Sequence, residues 1–354
     1  MECIRNTLCI MKTIYDVAII GAGLAGTAAA ITLGKRGLRG IIFERGYPYK
    51  DKACGDAFVP SAIAILEELG LSANTFLSIG GAPFHSINLV ADSDLLWNHS
   101  LKGETGWMLP RKFLDQQLRD VASEYFGLEY GCRVLEVKKE SDYISLIFEQ
   151  GKEVKSISTI SAIIATGAEN KLARNLGICG QPINSASVST YSACDLPSGE
   201  ITFDLTDLID RGYGWYFPTG GQYVNVGVCS IGDIPINLGA LGRQYLKGRG
   251  MFSDNTIWRG GKGPLWSNRG DKWHSDQGII SCGDAAGLID PISGEGITAA
   301  LFSGCLGANK IYSFLTNGCN IMYLKEYSKE IFNHFFNVYR LNLQRSVWKG
   351  LCGI

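Results

Sequence analysis

The sequence predicts an α/β fold in which a Rossmann-type dinucleotide-binding domain, discontinuous along the chain, carries an inserted antiparallel-sheet domain. Three observations predict it. A short apolar run, Asp16-Val17-Ala18-Ile19-Ile20, leads directly into Gly21-Ala22-Gly23-Leu24-Ala25-Gly26 and an alanine-rich helical pattern that lasts to about Gly34. Buried-strand runs recur at Ile160–Ala165 and Gly278–Cys282. Between them lie segments with strand patterning and glycine-rich turns, so nucleotide-type units sit at the start, middle and end of the chain with β-rich insertions.

Taken in order, the pattern begins at Tyr15. Residues 1–10 read as a loose tail, with Met11 an alternative start. Met1–Ile14 lacks a long apolar run ending in a small-residue cleavage site, so it does not read as a signal peptide. A second apolar run, Gly40-Ile41-Ile42-Phe43, ends in Glu44. Apolar spacing at i, i+3 and i+4 predicts helices over Ser61–Leu69 and Lys112–Ser123. Glu129–Ser158 alternates apolar and polar residues around the turn Glu149-Gln150-Gly151-Lys152, which predicts an antiparallel element. Ala186–Ile231 is mostly strand in pattern, followed by a helix near Leu238–Lys247, the strand Gly278–Cys282 and a long helix from about Gly296 to Leu315. Met322–Trp348 reads as an aromatic-rich, mildly basic helix. The expected division assigns 11–75, 105–178 and 270–316 to the dinucleotide domain, 76–104 and 179–269 to a substrate domain, and 317–354 to a C-terminal helical segment.

Composition removes several function classes. A net charge of -1 over 354 residues offers no basic field for nucleic acid. Eleven cysteines, without CxxC pairs or neighbouring histidines, fit neither a disulfide framework nor a metal site. Reduced thiols in a cytoplasmic setting fit better. Val17–Gly34 approaches spanning length, but glycines and a strand-to-helix change break it, so no transmembrane segment is expected. His85, His99, His274 and His334 have no partner spacing and read mostly as surface or satisfied core residues.

In the Gly21-x-Gly23-x-x-Gly26 pattern the first glycine makes the tight turn and the second admits a pyrophosphate to the backbone. The third lets the helix pack on the strand. The positive helix end then faces the diphosphate. Glu44, 18 residues beyond Gly26, is placed to take ribose hydroxyls. The motif alone leaves the dinucleotide open.

Three further segments resemble those of hydroxylase-type FAD proteins. The first is Gly283-Asp284-Ala285-Ala286-Gly287, followed by Pro291 and Gly294-Glu295-Gly296-Ile297. In that resemblance Asp284 reaches the ribityl hydroxyls and the helix opening near Gly296 aims its amides at the flavin edge, favouring an anionic reduced ring. The second runs from Arg111 to Leu118 and resembles an R-x-x-x-D-x-x-L helix start whose arginine touches the cofactor. The third, Ala165-Thr166-Gly167-Ala168, resembles the segment near adenosine, with Thr166 where an aspartate is usual. The resemblance implies FAD. Leu24, Ala25, Arg45, Ala53 and Val134, with Lys52 and Gly55, complete the set assigned to the cofactor.

Lys52-Ala53-Cys54-Gly55 and Tyr213-Gly214-Trp215-Tyr216-Phe217-Pro218 resemble the K-x-C-G and Y-x-W-x-F-P motifs of the geranylgeranyl reductase family, FAD enzymes that saturate isoprenoid double bonds. The resemblance runs from Tyr15 to about Ile311. The chain departs from it at Asp56, where a second glycine is usual, at Gly227-Val228-Cys229, which replaces a G-x-G, and in its short C-terminus. The implied activity is hydride transfer to one alkene carbon with protonation of the other. Cys54 is the candidate acid or mobile-loop residue beside the flavin. Tyr213, Trp215 and Phe217, alternating along a strand, would form one aromatic wall. With no second dinucleotide motif, the electron donor is either transiently bound NAD(P)H or a ferredoxin-like carrier. The C-terminal helix either packs on the domain, closes the cavity, or lies on a membrane surface through Arg340, Arg345 and Lys349.

Three other activities compete. An FAD monooxygenase that hydroxylates aromatics shares the cofactor domain but usually carries Asp-Gly where this chain has Thr166-Gly167. A flavin-dependent halogenase shares a tryptophan-rich motif but needs a lysine, and Leu71–Leu101 contains none. The departures at Asp56 and Gly227–Cys229 also leave room for a non-catalytic flavin- or lipid-binding protein.

Overall fold

Ile14–Ile20 (β1) has parallel neighbours on both sides, and this is why Val17, Ala18, Ile19 and Ile20 are all apolar and buried. The computed structural model describes residues 14–91, 93–194, 196–209, 211–232, 237–252, 256–267 and 272–344, with side chains described as far as 337. After β1 come α1 (Leu24–Gly34) and β2 (Gly40–Glu44), then β3 (Ala57–Phe58), α2 (Pro60–Leu69), α3 (Ala73–Ser78) and β4 (Ala82–Phe84). β5 (Ser86–Ala91), β6 (Asp94–Ser100) and β7 (Gly106–Met108) precede α4 (Arg111–Ser123), β8 (Gly127–Tyr130), β9 (Cys132–Lys139), β10 (Ile144–Gln150) and β11 (Glu153–Ile164). The second half supplies α5 (Lys171–Asn175), β12 (Ile183–Ala193), β13 (Glu200–Leu205), β14 (Gly212–Pro218) and β15 (Tyr223–Ile231). It ends with α6 (Leu238–Gly248), β16 (Arg259–Leu265), β17 (Ile279–Ser281), α7 (Ile297–Thr316) and α8 (Met322–Gln344).

Five strands pair in parallel in the order β8-β2-β1-β11-β17, the Rossmann arrangement. Alternation along the strands divides the core. Val17, Ile19, Ile42, Ile163 and Ile280 face α1, α4 and α7, whereas Ala18, Ile20, Ile41, Phe43, Ala162 and Ile164 face the β9–β10 hairpin and α5. β11 serves both layers. Its first half pairs antiparallel with β10, and its second half lies between β1 and β17.

The second large sheet has the order β16-β12-β15-β14-β13-β5-β6. It is antiparallel except where β13 meets β5. One face packs on α6 through Val224, Val226, Val228, Tyr245 and Leu246, and the other carries Tyr213, Trp215 and Phe217. A third, small sheet, β3-β7-β4, straddles the boundaries drawn from the sequence at 75/76 and 104/105. The sequence pattern predicts no elements between residues 76 and 104, where the structure has three strands. They are short, and the edge strand β6 exposes Leu95 and Leu96, so no clean apolar alternation marks it. Residues 1–13 and 345–354, including Arg345 and Lys349, lie outside the described residues, as does the side chain of Arg340. Among the described residues no helix is long and apolar enough to cross a membrane.

Candidate functional site

A cavity of about 1410 Å³ runs from the C-terminal ends of β1 and β2 to the aromatic face of the second sheet. That exceeds the roughly 300–1,000 Å³ of a single small-molecule pocket, so cofactor and substrate can share it. Its lining is continuous from Glu44 and Gly21 through Cys54 to Trp215 and Trp97.

At the first end, Gly21 has φ +108°, and a Cβ there would overlap the Ala165 carbonyl oxygen. The turn therefore sits directly against the Thr166-Gly167 segment, with Ala165 N bonded to Ile20 O at 2.8 Å. A Cβ on Gly26 would overlap Gly21 O, whereas one on Gly23 would meet nothing within 4 Å. The second glycine thus opens the face that the third glycine allows the helix to approach. Gly23 caps α1 without a side-chain hydrogen bond and no acidic residue lies in its first turn. Its leading amides are suited to an anion. Glu44 Oε2 accepts from Ala22 N at 2.9 Å and Oε1 from Gly46 N at 2.7 Å, which fixes the carboxylate at the cavity edge. Arg119 Nε donates to Ala22 O at 2.9 Å and pins the loop from α4. Farther out, Glu169 pairs with Arg45 and Arg133.

At the other end, β14 and β15 explain the wall. Tyr213, Trp215 and Phe217 stand opposite Cys229, Gly227 and Asn225 in the register. A Cβ on Gly227 would overlap the Trp215 ring, so this glycine lets the indole lie across the neighbouring strand. The Lys52–Gly55 loop crosses in front: a Cβ on Gly55 would approach Phe217 Cε2 to 2.7 Å and Trp215 Nε1 to 3.5 Å. Asn225, fully buried, ties loop to wall. Its Oδ1 accepts from Trp215 Nε1 at 3.0 Å, and its Nδ2 donates to Cys54 O at 2.9 Å and Asp56 Oδ2 at 2.8 Å. All polar atoms of that side chain are satisfied.

Charge between the two ends is arranged in pairs. Arg111 Nε and Nη2 grip Asp115 Oδ1 and Oδ2 at 2.7 and 2.9 Å, and Arg111 Nη1 lies 4.0 Å from Cys54 Sγ. Burial works against the guanidinium charge, but Asp115, with smaller help from Cys54 and Asp56, outweighs it and holds Arg111 above its ordinary range. Lys52 Nζ reaches Asp284 Oδ2 at 3.2 Å. Burial, and then the Asp56 charge, push the Cys54 thiol up. Burial also raises the Tyr213 phenol, which donates to Ser293 O at 2.6 Å. The start of α7 departs from expectation. Thr298 N bonds Glu295 Oε1 at 2.5 Å, so a carboxylate, itself raised by burial, takes one of the amides read as facing the flavin.

The structure brings Cys54, Tyr213, Trp215 and Phe217 to one cavity with most residues assigned to the cofactor. These are Gly21, Gly23, Leu24, Ala25, Glu44, Arg45, Lys52, Ala53, Gly55, Arg111, Val134, Thr166, Gly167, Asp284, Gly294, Gly296 and Ile297. Gly26, Gly287 and Pro291 do not line it. Gly26 serves helix packing, Gly287 ends a short 3₁₀ turn in the left-handed region, and Pro291 sits in the turn closed by Gly294 N to Asp290 O. Two of the four histidines sit as expected, His85 exposed and His274 buried with Nδ1 2.7 Å from Ser328 Oγ. His99, stacked on Trp97, and His334, stacked on Phe302, both reach the cavity. Sequence reasoning missed Asn225, Tyr191, Arg259 and Arg119. Asn225 alone carried a signal, as a polar residue within the apolar run Val224–Val228.

The donor set fits FAD: an uncapped glycine-rich helix start, an acid at the end of β2, a carboxylate near the middle and an aromatic chamber beyond. Residues 15–200 match the pyridine nucleotide-disulphide oxidoreductase family. The chain is 27% identical over 329 residues to a menaquinone reductase of Mycolicibacterium smegmatis, covering 86% of this chain and 78% of that protein. It is 26% identical to a digeranylgeranylglycerophospholipid reductase of Methanosarcina mazei, covering 87% and 77%. In fold it resembles a geranylgeranyl bacteriochlorophyll reductase-like protein from Thermoplasma acidophilum, with a TM-score of 0.80, 23% identity and 91% and 84% coverage.

Proposed function

The chain belongs to the pyridine nucleotide-disulphide oxidoreductase family, and on that footing we propose an FAD-dependent reductase that saturates carbon–carbon double bonds of an isoprenoid or similarly long, apolar substrate. The observation that carries this reading is the contact of Gly55 with Phe217 and Trp215, which joins the Cys54 loop to an apolar chamber continuous with the dinucleotide cradle. Similarity to relatives named menaquinone reductase and digeranylgeranylglycerophospholipid reductase supports it.

Bound FAD would supply the hydride. The Gly21–Ala25 loop and the start of α1 would hold its diphosphate, Glu44 its ribose, and Asp284 its ribityl chain. Arg111, fixed by Asp115, would contribute a positive charge beside Cys54. Tyr213, Trp215 and Phe217 would exclude water and hold an alkene flat, which matters because unactivated alkenes react only when well positioned. The electron donor is NAD(P)H bound transiently or a ferredoxin-like carrier.

The test is anaerobic reoxidation of the dithionite-reduced enzyme by polyprenyl lipids. Reoxidation with loss of one double bond is expected. No reoxidation without oxygen, together with hydroxylation of an aromatic in air with NAD(P)H, would replace this reading with the monooxygenase one.

A further inference from the structure

The strand at the edge of the second sheet is built against the usual rule. An exposed edge is ordinarily blunted by short length, lysine or proline. β6 runs for 7 residues, ends its sheet, and carries Leu95, Leu96 and Trp97 in succession. Leu95 and Leu96 are 62% and 53% exposed. The register pairs Trp97 with Leu89 and Leu95 with Val90, which leaves Leu96 as the extra residue of a bulge. Contiguous apolar surface of this kind marks a place where something binds.

The two faces at this end of the sheet differ in character. On the outer face Asn88 Nδ2 donates to Glu200 Oε2 at 2.9 Å and Asn98 Nδ2 to Asn88 Oδ1 at 2.6 Å, a polar ladder in solvent. On the inner face the register sets Trp215, Phe203, Leu89 and Trp97 in one row and Ile201, Ile87 and His99 in the next. All but the buried Leu89 line the cavity. Trp97 and His99 are half-buried and stacked, with ring centroids 5.3 Å apart, so the apolar floor reaches the sheet edge. In the opposite direction the same face turns polar. Ser185 and Ser187 of β12 line the cavity beyond Cys229 and Tyr213. Next to them Tyr191 and Asn225 both donate to Asp56 Oδ2, with Arg259 4.0 Å from it, so the Lys52–Asp56 loop covers that part of the face. The cavity also reaches His334 and Phe335 of α8, but Phe335 packs in the core with α1 and α7, and His334 stacks on Phe302 of α7, on the dinucleotide side.

We propose that the substrate lies across the second sheet with its polar end toward Ser185 and Ser187 and its apolar tail leaving the cavity over β6, through a port formed by Ile87, Trp97 and His99. The proposal rests on the reductase reading above and narrows its substrate to isoprenoids longer than the chamber. From Trp215 on β14 to Trp97 on β6 the floor crosses three strand spacings, which at about 4.8 Å each make about 14 Å. With carbon–carbon bonds of about 1.5 Å, an extended isoprene unit covers about 5 Å, so about three units fit beyond the wall. A longer tail must pass the rim, where Leu95 and Leu96 continue the apolar surface outside.

Photolabelling and kinetics of the holoenzyme test this. Octaprenyl diphosphate carrying a diazirine at its ω end should label residues 94–99, and unmodified octaprenyl diphosphate should compete. Trp97→Asp puts a charge in the port, so kcat/KM for octaprenyl relative to triprenyl diphosphate should fall about tenfold, and Trp97→Phe should restore the ratio. A label elsewhere, or an unchanged ratio in Trp97→Asp, overturns the port while leaving the reductase reading intact if octaprenyl diphosphate still reoxidises the reduced enzyme. The port is equally overturned if Leu96→Lys separates a dimer, or releases the chain from phosphatidylcholine vesicles, while the label lies elsewhere. β6 then serves a second copy or a bilayer. Labelling of β6 without reoxidation keeps the port and removes the reductase reading. Neither labelling nor reoxidation overturns both.

Discussion

Replacing Asp115 with alanine strands the Arg111 guanidinium in the wall of the cavity. Both side chains are almost fully buried, 5% and 8% exposed, and joined by two short bonds. Breaking such a pair by removing one partner costs about 3–5 kcal/mol, because the remaining charge stays buried without its counter-ion. For 354 residues at ~2.1 cal/mol/K each, the unfolding entropy is about 0.7 kcal/mol/K. The loss therefore corresponds to a drop in melting temperature of about 4–7 °C. Differential scanning calorimetry of the flavin-free chain isolates this term from cofactor binding. Arg111→Met combined with Asp115→Ala removes the unpaired charge and should recover most of the loss. A drop below about 1 °C, or a double variant no more stable than the single one, would refute the argument that Asp115 exists to hold Arg111 in place.

Gly26→Ala would drive a Cβ into the Gly21 carbonyl, so the chain should purify without yellow colour and melt early; Gly23→Ala meets nothing in the protein and should fold normally but bind FAD more weakly. Melting curves and flavin content per chain separate the two effects. Cys54→Ala should keep the flavin and slow alkene reduction, and unchanged turnover would remove Cys54 from the chemistry. Asp56 also makes stability depend on pH. Its carboxyl is raised from 3.8 to about 6, so the folded chain holds the proton more tightly than the unfolded chain does. That contribution, on the order of 3 kcal/mol, is present below pH 3.8 and is lost as pH rises through 6. Urea midpoints across this range should show the fall in the wild type and not in Asp56→Asn.

The parts of the site legible in the sequence are those whose cause is local. Gly21–Gly26 announces itself because positive φ and close helix packing demand glycine within six residues. Tyr213, Trp215 and Phe217 do so because strand alternation puts every second residue on one face. Tyr191, Asn225 and Arg259 could not be read that way. They lie on three different strands and meet Asp56 only through the register that sets Asn225 beside Phe217 and Ser189 beside both Gly227 and Arg259. Asp56 was visible only as a departure from a motif. The turn around Pro291 was visible, but not that it carries Pro291 and Gly287 away from the cavity, because a turn's direction depends on what it packs against.

The indole of Trp215 gives the hydrogen-bond chain a polarity. A tryptophan can only donate, so the Asn225 amide must present its oxygen to the wall and its two hydrogens to the loop. With phenylalanine at 215 the amide oxygen would lose its donor, while the Cys54 carbonyl, which can only accept, would still hold the amide hydrogens toward the loop. One nitrogen in the aromatic wall and one carbonyl in the loop thus fix the amide between them, so that the carboxyl beside it always meets a donor.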